Sequence, residues 1–140
     1  MIRPYEPRDT EAILEIWYRA SVIAHDFIPA EYWRAELENV RNTYLPLADT
    51  WVYEEEGEVR GFISLLESHV AALFVRPESQ GQGIGRQLLQ HARSLRGRLS
   101  LDVFTENVRS RAFYARCGFR ETKESLHVPT GRLQVRMELE

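Results

Sequence analysis

The chain has 140 residues, of which 44% are hydrophobic and 28% charged, which predicts one domain over residues 1–140 and excludes disordered and fibrous classes of protein. No run of about 18 apolar residues could span a membrane, and the first residues lack an apolar signal core, so we expect a cytoplasmic protein without membrane binding. The formal net charge of −3 is unevenly distributed: residues 1–70 carry 6 basic and 14 acidic side chains, whereas residues 71–140 carry 12 basic and 7 acidic ones. The basic half suits an anionic ligand and the acidic half suits a cationic partner.

The first part of the chain predicts a strand followed by two helices. A short strand at residues 2–5 leads to a helix that is capped by Asp9 and ends near Ser21. A second helix covers residues 29–44 and is closed by Pro46, with its apolar positions spaced for one face. The chain therefore begins with the order β-α-α.

The rest of the chain predicts six further strands and two helices. Apolar patterning indicates strands at 51–53, 59–66, 70–75, 99–104, 119–128 and 133–139, and helices at 84–96 and 107–117. The strand at 70–75 is nearly all apolar, so we expect it to be central in the sheet and buried on both faces. The complete order, β-α-α-β-β-β-α-β-α-β-β, predicts a single α/β sheet.

A glycine-rich turn between that strand and the next helix carries most of the functional information. It reads Gln80-Gly81-Gln82-Gly83-Ile84-Gly85-Arg86. Glycines let the backbone approach a ligand, and the N–H groups of the first helical turn then point at it, which predicts an anion site with Arg86 as an added donor. The alternative is a turn adopted only for tight packing. Arg86 stands where a P-loop has lysine and a dinucleotide loop has glycine, so neither of those phosphate loops fits.

Two sequence blocks together resemble the GNAT family of acetyltransferases. Residues 80–85 fit its acetyl-CoA loop, which reads Gln or Arg, two residues, Gly, one residue, then Gly or Ala. Residues 107–119, one helix and one strand later, read Asn-Val-Arg-Ser-Arg-Ala-Phe-Tyr-Ala-Arg-Cys-Gly-Phe and approximate its second block. The resemblance covers the whole chain, and residues 25–29 and 32–33 further resemble the bacterial YiaC/YjaB-like subgroup.

This resemblance implies a fold and a co-substrate. The implied fold is α/β of GNAT type, with a mixed, mostly antiparallel central sheet of about six to seven strands, about four flanking helices, and a splayed central strand pair that forms the CoA cleft. The co-substrate is acetyl-CoA. The residues implied to bind it are Leu73, Phe74, Val75, Gln80, Gly81, Gln82, Gly83, Ile84, Gly85, Arg86 and Asn107.

Acetyl transfer to an amine needs a proton donor for the departing thiolate and a means to keep the amine neutral. Tyr114 stands at the family's tyrosine that reaches the sulfur and is the implied general acid. For the base or substrate-binding group the residues leave several candidates open, together with an ordered water; the candidates are His25, Asp26, Glu67 and His69. Aromatic side chains in the first half, Phe27 and Trp33 among them, are expected to line the acceptor pocket.

The sequence therefore predicts an N-acetyltransferase that moves acetyl from acetyl-CoA to a primary amine, on a protein or a small molecule, by direct attack in a ternary complex. A catalytically weak acyl-CoA-sensing domain is the alternative. Cys117 is the only cysteine, so no internal disulfide can form, and we expect it to be a buried packing thiol. Because no histidine cluster lies near it, we expect no metal site. We expect a monomer or homodimer without nucleic-acid binding, since no such motif is present and the pI is about 5.9.

Overall fold

Seven strands form one sheet in the computed structural model, which describes all 140 residues. They are β1 (Ile2–Pro4), β2 (Asp49–Glu55), β3 (Glu58–Leu66), β4 (His69–Val75), β5 (Leu99–Phe104), β6 (Arg120–His127) and β7 (Arg132–Leu139). The spatial order is β1-β2-β3-β4-β5-β7-β6, and every neighbouring pair is antiparallel except β4 and β5. The predicted α/β class, with a mixed, mostly antiparallel sheet, is confirmed.

Four main helices flank this sheet. They are α1 (Thr10–Ala24), α2 (Ala30–Asn39), α3 (Ile84–Arg96) and α4 (Val108–Arg116). The first is almost a turn longer than predicted, and α2 continues through a π-helical turn at Val40–Tyr44 into a last turn at Leu45–Leu47. Pro46 is the second residue of the Leu45–Leu47 segment and does not close the helix where predicted, because a position at the start of a new α-helical segment does not need the N–H that proline lacks. None of the helices is both long and apolar enough to cross a bilayer.

Asp9 precedes α1 as predicted, but its side chain does not cap that helix. The carboxylate is buried and accepts hydrogen bonds from Arg3 Nη1 at 2.8 Å and Nη2 at 2.9 Å. It also accepts a bond from the Glu6 backbone N–H at 2.8 Å. A paired, bidentate arginine binds a carboxylate more strongly than a neutral cap does, so Asp9 joins the first strand to the start of α1 instead.

The helices pack in two layers, one on each face of the sheet. Alternate residues of β3 point to opposite faces, so Phe62 packs with Ile16 of α1 whereas Ile63 packs with Leu88 of α3. The aromatic rings of α4 pack against the same core as α3. The sheet therefore has an α1–α2 face and an α3–α4 face.

The two central strands diverge, as the sequence predicted. The only paired positions of β4 and β5 are His69 and Ser100, at the start of both strands. Ala71 is an extra residue in β4, because Ser64 pairs with Ala72 while Leu65 pairs with Val70, and this bulge directs the strand away from β5. A wedge-shaped gap opens beyond that point.

The gap explains why β4 is less buried than predicted. The strand is central, but Ala71 is exposed and Leu73, Phe74 and Val75 are only half-buried. The prediction of burial on both faces was wrong, because a splayed strand has no neighbour along one edge. The Cys117 thiol is also only half-buried, since it follows a helix that lies at the margin of the core and has no fully buried residue.

Candidate active site

The gap between β4 and β5 opens into a cleft of about 860 Å³ that is lined from both faces of the sheet. Leu101 and Val103 of β5 are buried against α3, so Asp102 and Phe104, which alternate with them, point to the α1–α2 face. Tyr114 of α4 lines the cleft on the other face. A ligand in the gap therefore contacts groups from both layers.

The glycine turn places a row of backbone donors at one end of this cleft. Gly81 and Gly83 have φ values of +80° and +85°, which strain any other side chain. The turn is fastened to β4 because Gln80 Nε2 donates to the Val75 carbonyl oxygen at 3.1 Å. None of the N–H groups from Gly81 to Arg86 donates to a backbone carbonyl. These free donors, at the positive N-terminus of α3, suit phosphate oxygens.

Tyr114 presents a free phenol to the cleft. Its ring packs between Phe113 and Phe119, with centroids 5.3 Å and 5.5 Å away. Burial raises the pKa of the phenol above its usual value, so it keeps its proton at neutral pH. Gly85 allows this approach of α4 to α3, because a Cβ there would lie 3.3 Å from the Phe113 ring. The phenol is thus protonated and lines the cleft.

Charged side chains divide the cleft into a cationic and an anionic part. Arg86 of α3 and Arg109 and Arg116 of α4 line it near the glycine turn, and none of these arginines forms an ion pair. The carboxylates that line the cleft are those of Asp26, Asp102 and Glu106, in the α1–α2 loop and in or just after β5. The uneven charge of the sequence is therefore also present within one cleft. The unpaired arginines come from α3 and α4, and the carboxylates come from the α1–α2 loop and from β5 and the residues after it; Asp102 is paired with Arg136 and Glu106 with Arg132.

Asp102 lies among hydrogen-bonding partners on the α1–α2 face. Its two carboxylate oxygens accept from Arg136 Nε at 2.7 Å and Nη2 at 3.2 Å. His69 Nε2 is 3.8 Å from Asp102 Oδ2, and His69 Nδ1 is 3.0 Å from Ser100 Oγ. Burial lowers the pKa of His69, so this imidazole is neutral at pH 7. The carboxylate is therefore positioned by Arg136 and lines the cleft.

His25 occupies a different environment from that of an exposed loop histidine. It is the residue just after α1, is 8% exposed, and its Nε2 lies 3.2 Å from Asn107 Nδ2. Desolvation lowers the pKa of the ring from 6.5 to about 4, so it is neutral near pH 7. Asp26 beside it is exposed and points away from this contact, as adjacent residues often do.

Comparison with known proteins identifies the family of this chain. A sequence model of the acetyltransferase (GNAT) domain matches residues 46–121. The chain belongs to the GNAT acetyltransferase family. It is an acetyl-CoA-dependent N-acetyltransferase, as the glycine turn and the Asn107 block predicted.

Individual relatives of this acetyltransferase cover most of its length. It is 39% identical over 120 residues to the peptidyl-lysine N-acetyltransferase YiaC of Escherichia coli, covering 85% of this chain and 82% of YiaC. The solution structure of apo YjaB from Escherichia coli superposes with a TM-score of 0.87 at 32% identity, over 99% of this chain and 95% of YjaB. The PaiA N-acetyltransferase of Thermoplasma acidophilum, solved with coenzyme A, shares the fold with a TM-score of 0.85 at 18% identity, over 100% of this chain and 98% of PaiA. The predicted YiaC/YjaB-like subgroup is confirmed.

The acetyltransferase cleft brings together most of the residues singled out from the sequence. Those that line it are His25, Asp26, Phe27, Trp33, Leu73, Phe74, Val75, Gln80, Gly81, Gly83, Ile84, Gly85, Arg86, Asn107 and Tyr114. Gln82 lies in the glycine turn with an exposed side chain outside the cleft lining. Glu67 is not brought to the site, because it lies in the turn before β4, at the closed end of the wedge, where its carbonyl oxygen accepts from Arg96 Nε. His69 lies at that same end and reaches the site only through Asp102.

Sequence reasoning missed four charged residues of the cleft, namely Asp102, Glu106, Arg109 and Arg116. Aspartate is depleted in strands, so Asp102 at an outward position of an otherwise apolar β5 was a signal for function. The two arginines are seven residues apart, which places them on one face of α4, and that face is the one toward the cleft. A helical-face analysis of α4 would therefore have found both.

The cleft has the groups that acetyl-CoA needs. Free backbone N–H groups and unpaired arginines match its phosphates, whereas the unpaired edge of β4 at Leu73–Val75 matches the amide-containing pantetheine arm. A side chain at Gly81 would meet no protein atom within 4 Å, so the space above the turn is open to a ligand.

Proposed function

We propose that this enzyme acetylates the ε-amine of lysine side chains in proteins. The observation that carries the proposal is the division of charge in the cleft, with carboxylates where the amine must enter. Phe27 and Phe104 lie at this entrance with ring centroids 5.8 Å apart, and Asp26 and Asp102 line it. Aromatic rings suit the aliphatic stem of lysine and carboxylates suit its ammonium group. The names of the relatives YiaC and YjaB, both called peptidyl-lysine N-acetyltransferases, support this acceptor.

In this proposal the two faces of the sheet supply the two proton transfers. Asp102, from the α1–α2 face, accepts the proton of the incoming ammonium, directly or through one water, and Arg136 holds its carboxylate in place. The neutral amine attacks the thioester carbonyl, whose oxygen is stabilised by free N–H groups of β4 at Leu73–Val75. When the C–S bond breaks, Tyr114 donates its phenolic proton to the CoA thiolate from the α3–α4 face.

The remaining site residues have supporting roles. Gln80, Gly81, Gln82, Gly83, Ile84, Gly85 and Arg86 form the turn that binds the pyrophosphate. Phe27 and Trp33 shape the acceptor entrance, and Asp26 attracts the cation. The same proposal keeps the predicted cytoplasmic location, either a monomer or a homodimer, and no nucleic acid or membrane as partner.

The acceptor is tested with peptides that offer one amine each. One peptide has a blocked N-terminus and a single lysine, a second has arginine at that position and a free N-terminus, and a third has no free amine. We expect kcat/KM for the lysine peptide to exceed that for the free N-terminus by about tenfold or more, measured as CoA release and confirmed by mass spectrometry of the peptide. Small diamines are tested in parallel.

Two controls make the outcome decisive. Lys123→Arg removes the only lysine of the enzyme, so acetylated protein cannot be mistaken for turnover. Preference for the N-terminal amine, or turnover with small amines alone, contradicts lysine as the acceptor. Acetyl-CoA binding without transfer to any of these amines instead supports the acyl-CoA-sensing alternative.

A further inference from the structure

The two helices that border the gap on opposite faces are joined at its open end by one buried hydrogen bond. His25 follows the last residue of α1, and Asn107 precedes the first residue of α4. The side chains are 8% and 7% exposed, and His25 Nε2 lies 3.2 Å from Asn107 Nδ2. The residues are 82 positions apart in sequence, so this contact exists only in the folded protein.

The direction of this bond follows from the second partner of Asn107. Its Oδ1 accepts from the Ser110 backbone N–H at 3.2 Å, which is the N-cap of α4. The amide nitrogen must then face His25 and donate to Nε2, so the imidazole is neutral with its proton on Nδ1. The burial that lowers the pKa of His25 favours the same neutral form. The lone pair of His25 is therefore occupied by a protein donor.

The ring of His25 is held firmly for a residue at a helix end. Trp33 and Phe104 pack against it with centroids 5.1 Å away, and Phe27 at 5.9 Å. Its Nδ1 is buried without a hydrogen-bond partner. The bond from Asn107 to Nε2 is therefore the only hydrogen bond of this buried side chain.

The helix that receives this bond has few apolar anchors. α4 has nine residues, and none of them is fully buried. Only its half-buried Phe113 and Tyr114 contact the main core, at its middle and end. Its first turn carries no core side chain and is held by polar contacts: Asn107 caps it, and Arg111 donates to the Thr105 carbonyl oxygen and to Glu121. The amide of Asn107 is in turn oriented by His25, so this link is one of the few contacts that set the position of the Tyr114 phenol.

We propose that His25 is a positioning residue for the general acid: its Nε2 orients the Asn107 amide, which fixes the start of α4 and holds Tyr114 at the gap. His25 is then not the base, although it is the loop histidine that the sequence offered for that role. Asn107 likewise acts through the protein in this proposal, because its Oδ1 caps α4 and its Nδ2 donates to His25. The inference depends on Tyr114 as the acid but not on which amine is the acceptor.

A double-mutant cycle with Tyr114 tests this link. His25→Leu is expected to lower kcat about tenfold in the wild-type background, because a misplaced acid loses much of its effect. In the Tyr114→Phe background the same change is expected to cost less than about twofold, because no phenol remains to be positioned. Assays use the amine with the highest turnover in the peptide panel, so failure of the lysine proposal leaves this test intact.

Three further variants separate positioning from a loss of folding. His25→Gln keeps an acceptor oxygen and is expected to recover most of the activity. Asn107→Ser keeps a helix cap but loses the bond to His25, so it should match His25→Leu, and combining the two should add nothing. His91→Leu, at a half-buried histidine that packs on Trp51 outside the cleft, is the matched control and should retain wild-type kcat. Thermal unfolding is recorded for each.

Two results would overturn the proposal. Equal fold losses for His25→Leu in both backgrounds would show that the residue does not act through Tyr114. Loss of the acid limb of the pH profile of kcat/KM in His25→Gln would show that His25 takes the proton of the amine. Retention of that limb, together with a smaller loss in the Tyr114→Phe background, supports positioning.

Discussion

Replacing Tyr114 by phenylalanine lowers kcat by about 10²-fold in the mechanism proposed for this acetyltransferase. The phenol is the proton donor on the α3–α4 side of the gap, and no other acidic side chain on α4 lines the cleft. Without it the CoA thiolate must leave unprotonated or take a proton from water. The ring still packs with Phe113 and Phe119, so acetyl-CoA affinity should change by less than about twofold.

Steady-state CoA release and calorimetric acetyl-CoA binding measure these two quantities. Tyr44→Phe is the matched control, because Tyr44 is exposed and lies outside the cleft. A Tyr114→Phe enzyme with wild-type kcat would exclude the phenol as the acid. A large loss of acetyl-CoA affinity would instead make Tyr114 a binding residue.

Replacing Asp102 by asparagine is expected to lower kcat/KM at pH 7 by about 10²-fold, since a side-chain amide cannot accept a proton from the ammonium. The loss should shrink as pH rises toward the pKa of lysine, about 10.4, because the amine then loses its proton to solvent. This dependence distinguishes a base from a residue that only binds the acceptor. The amide oxygen of the variant can still accept a hydrogen bond from Arg136, so folding should survive.

The measurement is the pH profile of kcat/KM for the amine acceptor. Glu67→Gln is the matched control, because this exposed carboxylate lies outside the cleft and should be dispensable. A loss that stays constant with pH would rule out Asp102 as the base. A loss of activity in Glu67→Gln would restore Glu67 as a candidate for the base, although it lies at the closed end of the gap.

The parts of the site that the sequence revealed are those determined by the backbone. The glycine turn was readable because positive φ angles at Gly81 and Gly83 allow few other residues. The order of strands and helices was readable from periodicity, and Gly118 stands just past α4 as expected, with φ of +101°. These features depend on neighbours in sequence.

What the sequence left open depends on distant partners. The burial of His25 is set by Asn107 and Phe104, which no local pattern links to it. The role proposed for Asp102 depends on the divergence of β4 and β5, because a residue on the α1–α2 face reaches the thioester only through the gap between these strands. The hydrogen bond from Arg3 to Asp9 is a further contact that the local sequence pattern does not reveal. Charge alone could not separate such partners from solvated surface residues.

The central claim is that acetyl-CoA and the amine occupy opposite sides of one gap at the same time. Initial velocities measured while both acetyl-CoA and the acceptor peptide are varied test this claim most directly. Intersecting double-reciprocal lines, with CoA competing against acetyl-CoA and not against the peptide, are the result expected for a ternary complex. Parallel lines, together with acetylated enzyme isolated in the absence of acceptor, would contradict it and would point to a covalent route such as one through Cys117.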